Sequence, residues 1–158
     1  MEKIASFQVN HLVLLPGLYI SRKDYISDVV LTTFDIRVTR PNVETVMDTG
    51  SIHTIEHLCA TYLRNDAIWK NLIVYFGPMG CRTGFYLIIG KEVTPYDIFD
   101  LVKKMFEFVI TFDGDIPGAS SKDCGNYSDM NLDGAKHFAL KYYNEVLINP
   151  DERRFKYE

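Results

Sequence analysis

No stretch of this sequence is apolar for long enough to cross a membrane or to act as an export signal. The longest early apolar run, Leu12 to Leu15, falls far short of the roughly 20 residues a spanning helix needs. Cysteine is scarce as well: only Cys59, Cys81 and Cys124 occur. An odd count without a secretory signal speaks against a disulfide framework and for reduced thiols in the cytoplasm. Basic clusters are missing beyond short groups such as Arg22-Lys23, and the formal net charge is −4. A nucleic-acid partner normally requires a clustered basic face, so that class is set aside, as is a membrane partner. Nor is there an internal repeat, a low-complexity tract or a linker that would divide the chain. Residues 1–158 therefore read as a single domain.

What is present supports a packed core: 47% of the 158 residues are hydrophobic and 13% aromatic. A chain of this size buries roughly 70% of its extended surface on folding. Leu18–Ile26 and Val29–Thr39 have the β-branched and aromatic content of strands. In the second, Phe34, Ile36 and Val38 share one face while Asp35 and Arg37 share the other. Thr49-Gly50-Ser51 opens a helix to about Arg64, with Ile55, Leu58, Cys59, Tyr62 and Leu63 at core spacing. Two more strands, Leu72–Phe76 and Gly84–Ile89, flank Gly77-Pro78-Met79-Gly80-Cys81. Thr94-Pro95 starts a helix to about Ile110. Residues Asp113–Asp129 form an irregular loop, and a last helix spans Leu132–Leu147. Strands and helices come in blocks, so the fold class is α+β, a largely antiparallel sheet with helices packed on one face.

The most informative stretch is His53-Thr54-Ile55-Glu56-His57. Histidines four apart lie on one face of a helix, close enough for both rings to bind one metal ion. Glu56 approaches the same place without having to be a ligand. A pair of solvated histidines beside a surface glutamate has the same spacing; the intervening Glu and the scarcity of histidine elsewhere, His11 and His137 only, favour the metal.

Two histidines are an incomplete site. Cys124 is the best third ligand, because it sits in a polar Asp123-Cys124-Gly125 loop where Gly125 offers backbone freedom. Cys59, on the apolar helix face, reads as a small buried hydrophobe. Cys81 lies at a turn between strands, and a thiol there works only as thiolate, with a cation or metal nearby. Arg37 can supply that charge, or can simply form a surface ion pair with Asp35. A working Cys81 and an ordinary turn cysteine both fit the residues.

His53-Thr54-Ile55-Glu56-His57-Leu58 is similar to the metal-binding segment of the S-ribosylhomocysteine lyase (LuxS) family. Phe34-Asp35-Ile36-Arg37 resembles a conserved strand of that family. Pro78-Met79-Gly80-Cys81-Arg82-Thr83-Gly84-Phe85-Tyr86 matches its catalytic-cysteine segment, Cys124-Gly125 its third-ligand loop, and Ser6-Phe7 with His11 its substrate-facing start. The matches keep the family's order and cover nearly the whole chain.

The resemblance implies a homodimer with active sites at the subunit interface. It implies one divalent ion per chain on His53, His57 and Cys124, Fe²⁺ in the cell, with Zn²⁺ or Co²⁺ able to substitute. It also implies an acid–base pair of Cys81 and Glu56, and substrate contacts from Ser6, His11 and Arg37. The activity implied is two carbonyl migrations along the ribose of S-ribosylhomocysteine, then β-elimination. The products are homocysteine and 4,5-dihydroxypentane-2,3-dione, the precursor of the autoinducer-2 signal in quorum sensing and a branch of the activated methyl cycle. One departure is local: many members carry an acidic residue, a hydrophobic one and Ser where this chain has Tyr75-Phe76-Gly77.

Two other readings are weaker. His-x-x-Glu-His is also the inverted zinc-peptidase pattern, but such enzymes take a downstream glutamate as third ligand and are usually longer. A non-catalytic metal-stabilised binding domain would be expected to use four protein ligands and have no spare thiol at Cys81.

Overall fold

The computed structural model describes residue 2 and residues 4–158, apart from the side chains of Ala5 and Ser6. After a short helix α1 (Ala5–Gln8), strands β1 (Gly17–Ile26) and β2 (Val29–Arg37) form a hairpin. Helix α2 (Thr49–Asn65), strands β3 (Ile73–Pro78) and β4 (Gly84–Ile89), α3 (Phe99–Thr111) and α4 (Leu132–Tyr142) follow. The four strands make one sheet in the order β1-β2-β4-β3, antiparallel at every pairing. Helices α2, α3 and α4 pack together, and α2 also lies against β3. This is the expected α+β architecture. Among the described residues no helix is long and apolar enough to cross a membrane.

Alternation along the strands builds the core. Phe34 and Ile36 of β2 and Phe85, Leu87 and Ile89 of β4 point to the helices. They meet Ile55, Leu58 and Leu63 of α2, Val102, Met105 and Phe106 of α3, and Ala139 and Tyr142 of α4. Cys59 lies fully inside this core, and burial pushes its thiol well up.

Element ends differ from the sequence reading for identifiable reasons. Pro78 belongs to β3, which the order places at the sheet edge, where a missing N–H is tolerated. Residues 94–98 turn but do not join α3. The Asp97 carboxylate accepts from both the Thr94 amide and hydroxyl, closing a separate turn, and the helix bonds begin with the Val102 amide on the Ile98 carbonyl. The last helix loosens after Tyr142 into a π-helical turn, Tyr143–Leu147, with the Ile148 amide on the Tyr143 carbonyl.

Candidate active site

Helix α2 displays the histidines. Its N-cap Asp48 accepts from the Ser51 amide at 2.9 Å, fixing the start of the helix one turn before His53. Helical periodicity sends Ile55, Leu58 and Cys59 into the core and leaves His53, Glu56 and His57 half-buried on a shallow cleft with Ala60, Thr61, Pro117 and Gly118. The 113–129 loop folds back over the helix. Its Cys124 Sγ lies 3.4 Å from His53 Nε2.

One ligand atom from each of His53, His57 and Cys124 falls within 4.8 Å of the others, the one such group among the described residues. A tetrahedral ion with ordinary Zn–N and Zn–S bonds separates its N and S ligands by about 3.5 Å, so the spacing fits a single ion. The hydrogen bonds set the ligand atoms. His57 Nδ1 is 2.8 Å from the Pro117 carbonyl, which only accepts, so Nδ1 carries the proton and Nε2 keeps its lone pair. His53 Nδ1 meets Asp129 Oδ1 at 2.7 Å with the same consequence. Asp129 and Gly118 were not singled out in the sequence. Gly118, not Gly125, takes the left-handed backbone (φ 73°), and a Cβ there would press on the His57 ring. A carboxylate at the end of the Cys124 loop is a signal for Asp129; Gly118 has none at short range.

Cys81 belongs to a second cleft, on the sheet face away from the helices. Met79–Arg82 form a tight turn closed by the Arg82 amide on the Met79 carbonyl at 2.9 Å, with Arg82 left-handed (φ 59°). The turn presents Cys81 as an exposed thiol. Arg37 Nη1 donates to Thr83 Oγ1 at 2.5 Å and reaches Cys81 Sγ at 3.8 Å. Since Arg37 donates to the Thr83 oxygen, the Thr83 hydroxyl proton is left for Cys81 Sγ, 3.1 Å away. Burial alone would raise the Cys81 thiol, but the Thr83 hydroxyl and amide and the Arg37 charge outweigh it, and the net shift is downward. Thr83 is a further residue that the sequence reading passed over, although a hydroxyl two positions after a turn cysteine is a readable signal.

Arg37 is not the surface ion pair that strand alternation allowed. Asp35 and Arg37 are 2% and 3% exposed, joined at 2.6 Å between Nη2 and Oδ2. The open face of the sheet is covered here by the N-terminal segment and by Tyr157, whose hydroxyl donates to Asp35 Oδ2 at 2.8 Å. His11 lines the same cleft, its Nδ1 2.8 Å from the Val9 carbonyl. Ser6 lies in α1, and its side chain is outside the described residues.

The Tyr75-Phe76-Gly77 departure is a packed unit. Phe76 is buried and stacks on Phe85 with ring centroids 5.2 Å apart. Tyr75 and Gly77 lie on the open face, where any Cβ on Gly77 would collide with the Tyr75 hydroxyl. A side chain at Gly77 would have to displace the Tyr75 ring from this position.

The cleft around Cys81 holds Arg37 and His11, the cleft on α2 holds His53, Glu56 and His57, and the two share no lining residue. A three-ligand N/S metal centre and a separate activated thiol, on an α+β scaffold, define a metalloenzyme with spare acid–base capacity. The family model for S-Ribosylhomocysteinase (LuxS) matches residues 4–153. The chain is 57% identical over 157 residues to an S-ribosylhomocysteine lyase of Clostridium beijerinckii, with 99% of each chain covered. It is 58% identical to that of Finegoldia magna, with 92% of each covered, and 51% to that of Borrelia garinii, with 99% covered. The chain belongs to the S-ribosylhomocysteinase (LuxS) family. It is accordingly an enzyme, a metal-binding carbon–sulfur lyase acting on S-ribosylhomocysteine.

Proposed function

We propose that the lyase reaction is carried out by Cys81 and Glu56 as proton carriers, with Ser6, His11 and Arg37 holding the substrate and His53, His57 and Cys124 holding Fe²⁺. Zn²⁺ or Co²⁺ can substitute, since a His/Cys donor set suits all three ions. When bound, the ion supplies Lewis-acid stabilisation of negative charge on the sugar oxygens. Each carbonyl migration takes a proton from the carbon beside a carbonyl and returns one to the carbon that carried it. The Cys81 thiolate accepts the carbon-bound proton in the early migrations, and the resulting thiol gives it back. Glu56, on the α2 cleft, moves protons between the sugar oxygens and serves in the later steps as well. Once the carbonyl has reached the third sugar carbon, loss of the proton on the fourth expels the homocysteine sulfur from the fifth. The remaining five-carbon product is the autoinducer-2 precursor.

The observation that carries this reading is the lowered Cys81 thiol, held by Thr83 and Arg37 and set apart from the metal ligands. The family resemblance implies a homodimer with active sites at the subunit interface, and two clefts that share no lining residue within one chain support that arrangement, with the Cys81 cleft of one subunit facing the α2 cleft of the other. The enzyme works in the cytoplasm, and its residues 1–158 act as one catalytic domain. The direct test is release of free homocysteine thiol from S-ribosylhomocysteine by protein purified without oxygen. Turnover that decays on exposure to air and returns with added Fe²⁺ is expected; an iron form fully stable in air would refute the assignment of the ion.

A further inference from the structure

Residues 152–158 return to the catalytic thiol from the far end of the chain. A short 3₁₀ turn, Glu152–Arg154, is capped by Asp151, and Arg154 Nη1 donates to the Pro16 carbonyl at 2.7 Å. The chain passes so close to β1 that any Cβ on Gly17 would collide with the Arg154 carbonyl. Phe155 is then buried edge-on against Phe99 and Tyr96. Two residues further, Tyr157 emerges on the open face of the sheet and stacks on Tyr19, centroids 4.7 Å apart and planes 17° from parallel. Its hydroxyl shares Asp35 Oδ2 with the Arg37 guanidinium.

We propose that Tyr157 is a positioning residue for the Cys81 proton carrier. Its hydroxyl holds Asp35, Asp35 holds one end of the Arg37 guanidinium, and the other end is thereby presented to Thr83 and Cys81. The inference rests on the reading of Cys81 as the proton carrier. Four observations converge on it. The chain of bonds is continuous: Tyr157 hydroxyl to Asp35, Arg37 Nη2 to Asp35, Arg37 Nη1 to Thr83 and Thr83 to Cys81 Sγ. Burial and the neighbouring Asp35 charge hold the Tyr157 phenol well above its ordinary value, so it remains the donor. Asp35 and Arg37 are cut off from solvent, so water cannot substitute for a lost hydroxyl without a cavity opening. Tyr157 also lines the Cys81 cleft itself.

The sign follows from charge. A hydroxyl donating to Asp35 offsets part of the carboxylate's pull on Arg37, leaving more of the guanidinium's charge for Cys81. Without it, Arg37 shifts toward Asp35 and the thiolate loses stabilisation. The other groups around the thiol, Thr83 and Tyr86 of β4 and its loop and His11 of the N-terminal segment, are untouched by the substitution.

The test is the pH profile of Cys81 alkylation by iodoacetamide in metal-loaded protein, read by mass spectrometry on the Cys81 peptide. Tyr157→Phe keeps the stacking and removes only the hydroxyl. Its midpoint should move to higher pH, with alkylation about threefold slower near neutrality and the high-pH plateau unchanged, since only the thiolate fraction has changed. The acidic limb of kcat/KM for homocysteine release should move with it. Tyr157→Ala, which also loses the stacking, should move both further. A Tyr157→Phe profile superimposed on wild type, while Arg37→Met shifts it, would overturn the proposal and leave the role of Cys81 standing. Superposition of both variants on wild type would overturn the proposal together with the tuning of Cys81 by Arg37.

Discussion

In the proposed reaction Cys81 and Glu56 carry the protons, and neither holds the metal. Cys81→Ala and Glu56→Gln should each retain one ion per chain by elemental analysis while losing turnover by about 10²–10⁴-fold, the usual worth of a placed acid–base group. Their failures should differ. Cys81→Ala should block the first migration, whereas Glu56→Gln should let a 2-keto intermediate accumulate, visible by ¹³C NMR. Near-wild-type homocysteine release by Cys81→Ala would refute Cys81 as the proton carrier of the first migration. The lowered thiol also sets a pH dependence. The thiolate fraction falls as pH drops through the Cys81 pKa, so kcat/KM should fall on the acid side. Thr83→Val, which removes the hydroxyl donated to Sγ at 3.1 Å, should shift that limb to higher pH. An unmoved limb would mean that Thr83 only shapes the turn.

At the scale of elements, α2 and the 113–129 loop act as the two jaws of the metal centre. The helix contributes two ligands at one face because four residues make about one turn, and the loop brings Cys124 to His53. Cys124→Ala should lose most of the metal in elemental analysis. Asp129→Asn keeps the size of the side chain but weakens the bond that aims His53 Nε2, and should lower metal affinity about 10–100-fold. Full metal occupancy in Cys124→Ala would overturn Cys124 as the third ligand. The helix start is separable from this chemistry. Asp48→Ala should lower stability by about 1 kcal/mol in urea unfolding of the metal-free protein, the ordinary worth of an N-cap.

For the whole molecule, the division of the site into two clefts makes a prediction that a one-chain site cannot meet. In the proposed dimer, Cys81→Ala and Glu56→Gln proteins should each be inactive. After subunit exchange, a mixed dimer pairs the intact Cys81 of one chain with the intact Glu56 of the other, so one of its two sites is whole. Mixing should restore up to about half the wild-type activity per mixed dimer. No recovery, despite exchange shown by native mass spectrometry, would place both proton carriers in one subunit's site and sink the interface arrangement.

The sequence alone determined what lies within a single element. His53, Glu56 and His57 share a face because helical periodicity is a local property, and the burial of Cys59 follows from the same periodicity. Cys124 in a polar loop and Cys81 at a turn were likewise legible, because turn chemistry is written in neighbouring residues. The alternation of β2 also set Asp35 and Arg37 together on the face away from the core. Whether that face is wet or dry was beyond its reach. Tertiary structure made the pair a buried one, because Tyr157, 122 positions from Asp35, folds back over the open side of the sheet. The same holds for Asp129 behind His53, 76 positions away, and for the Pro117 carbonyl that sets the His57 tautomer. The gathering of the metal ligands into one cleft and of Cys81 with Arg37 into another was also decided there. Contacts of this kind come from strand register and from where loops return, which depend on the packing of the whole chain and leave no periodicity in any one segment.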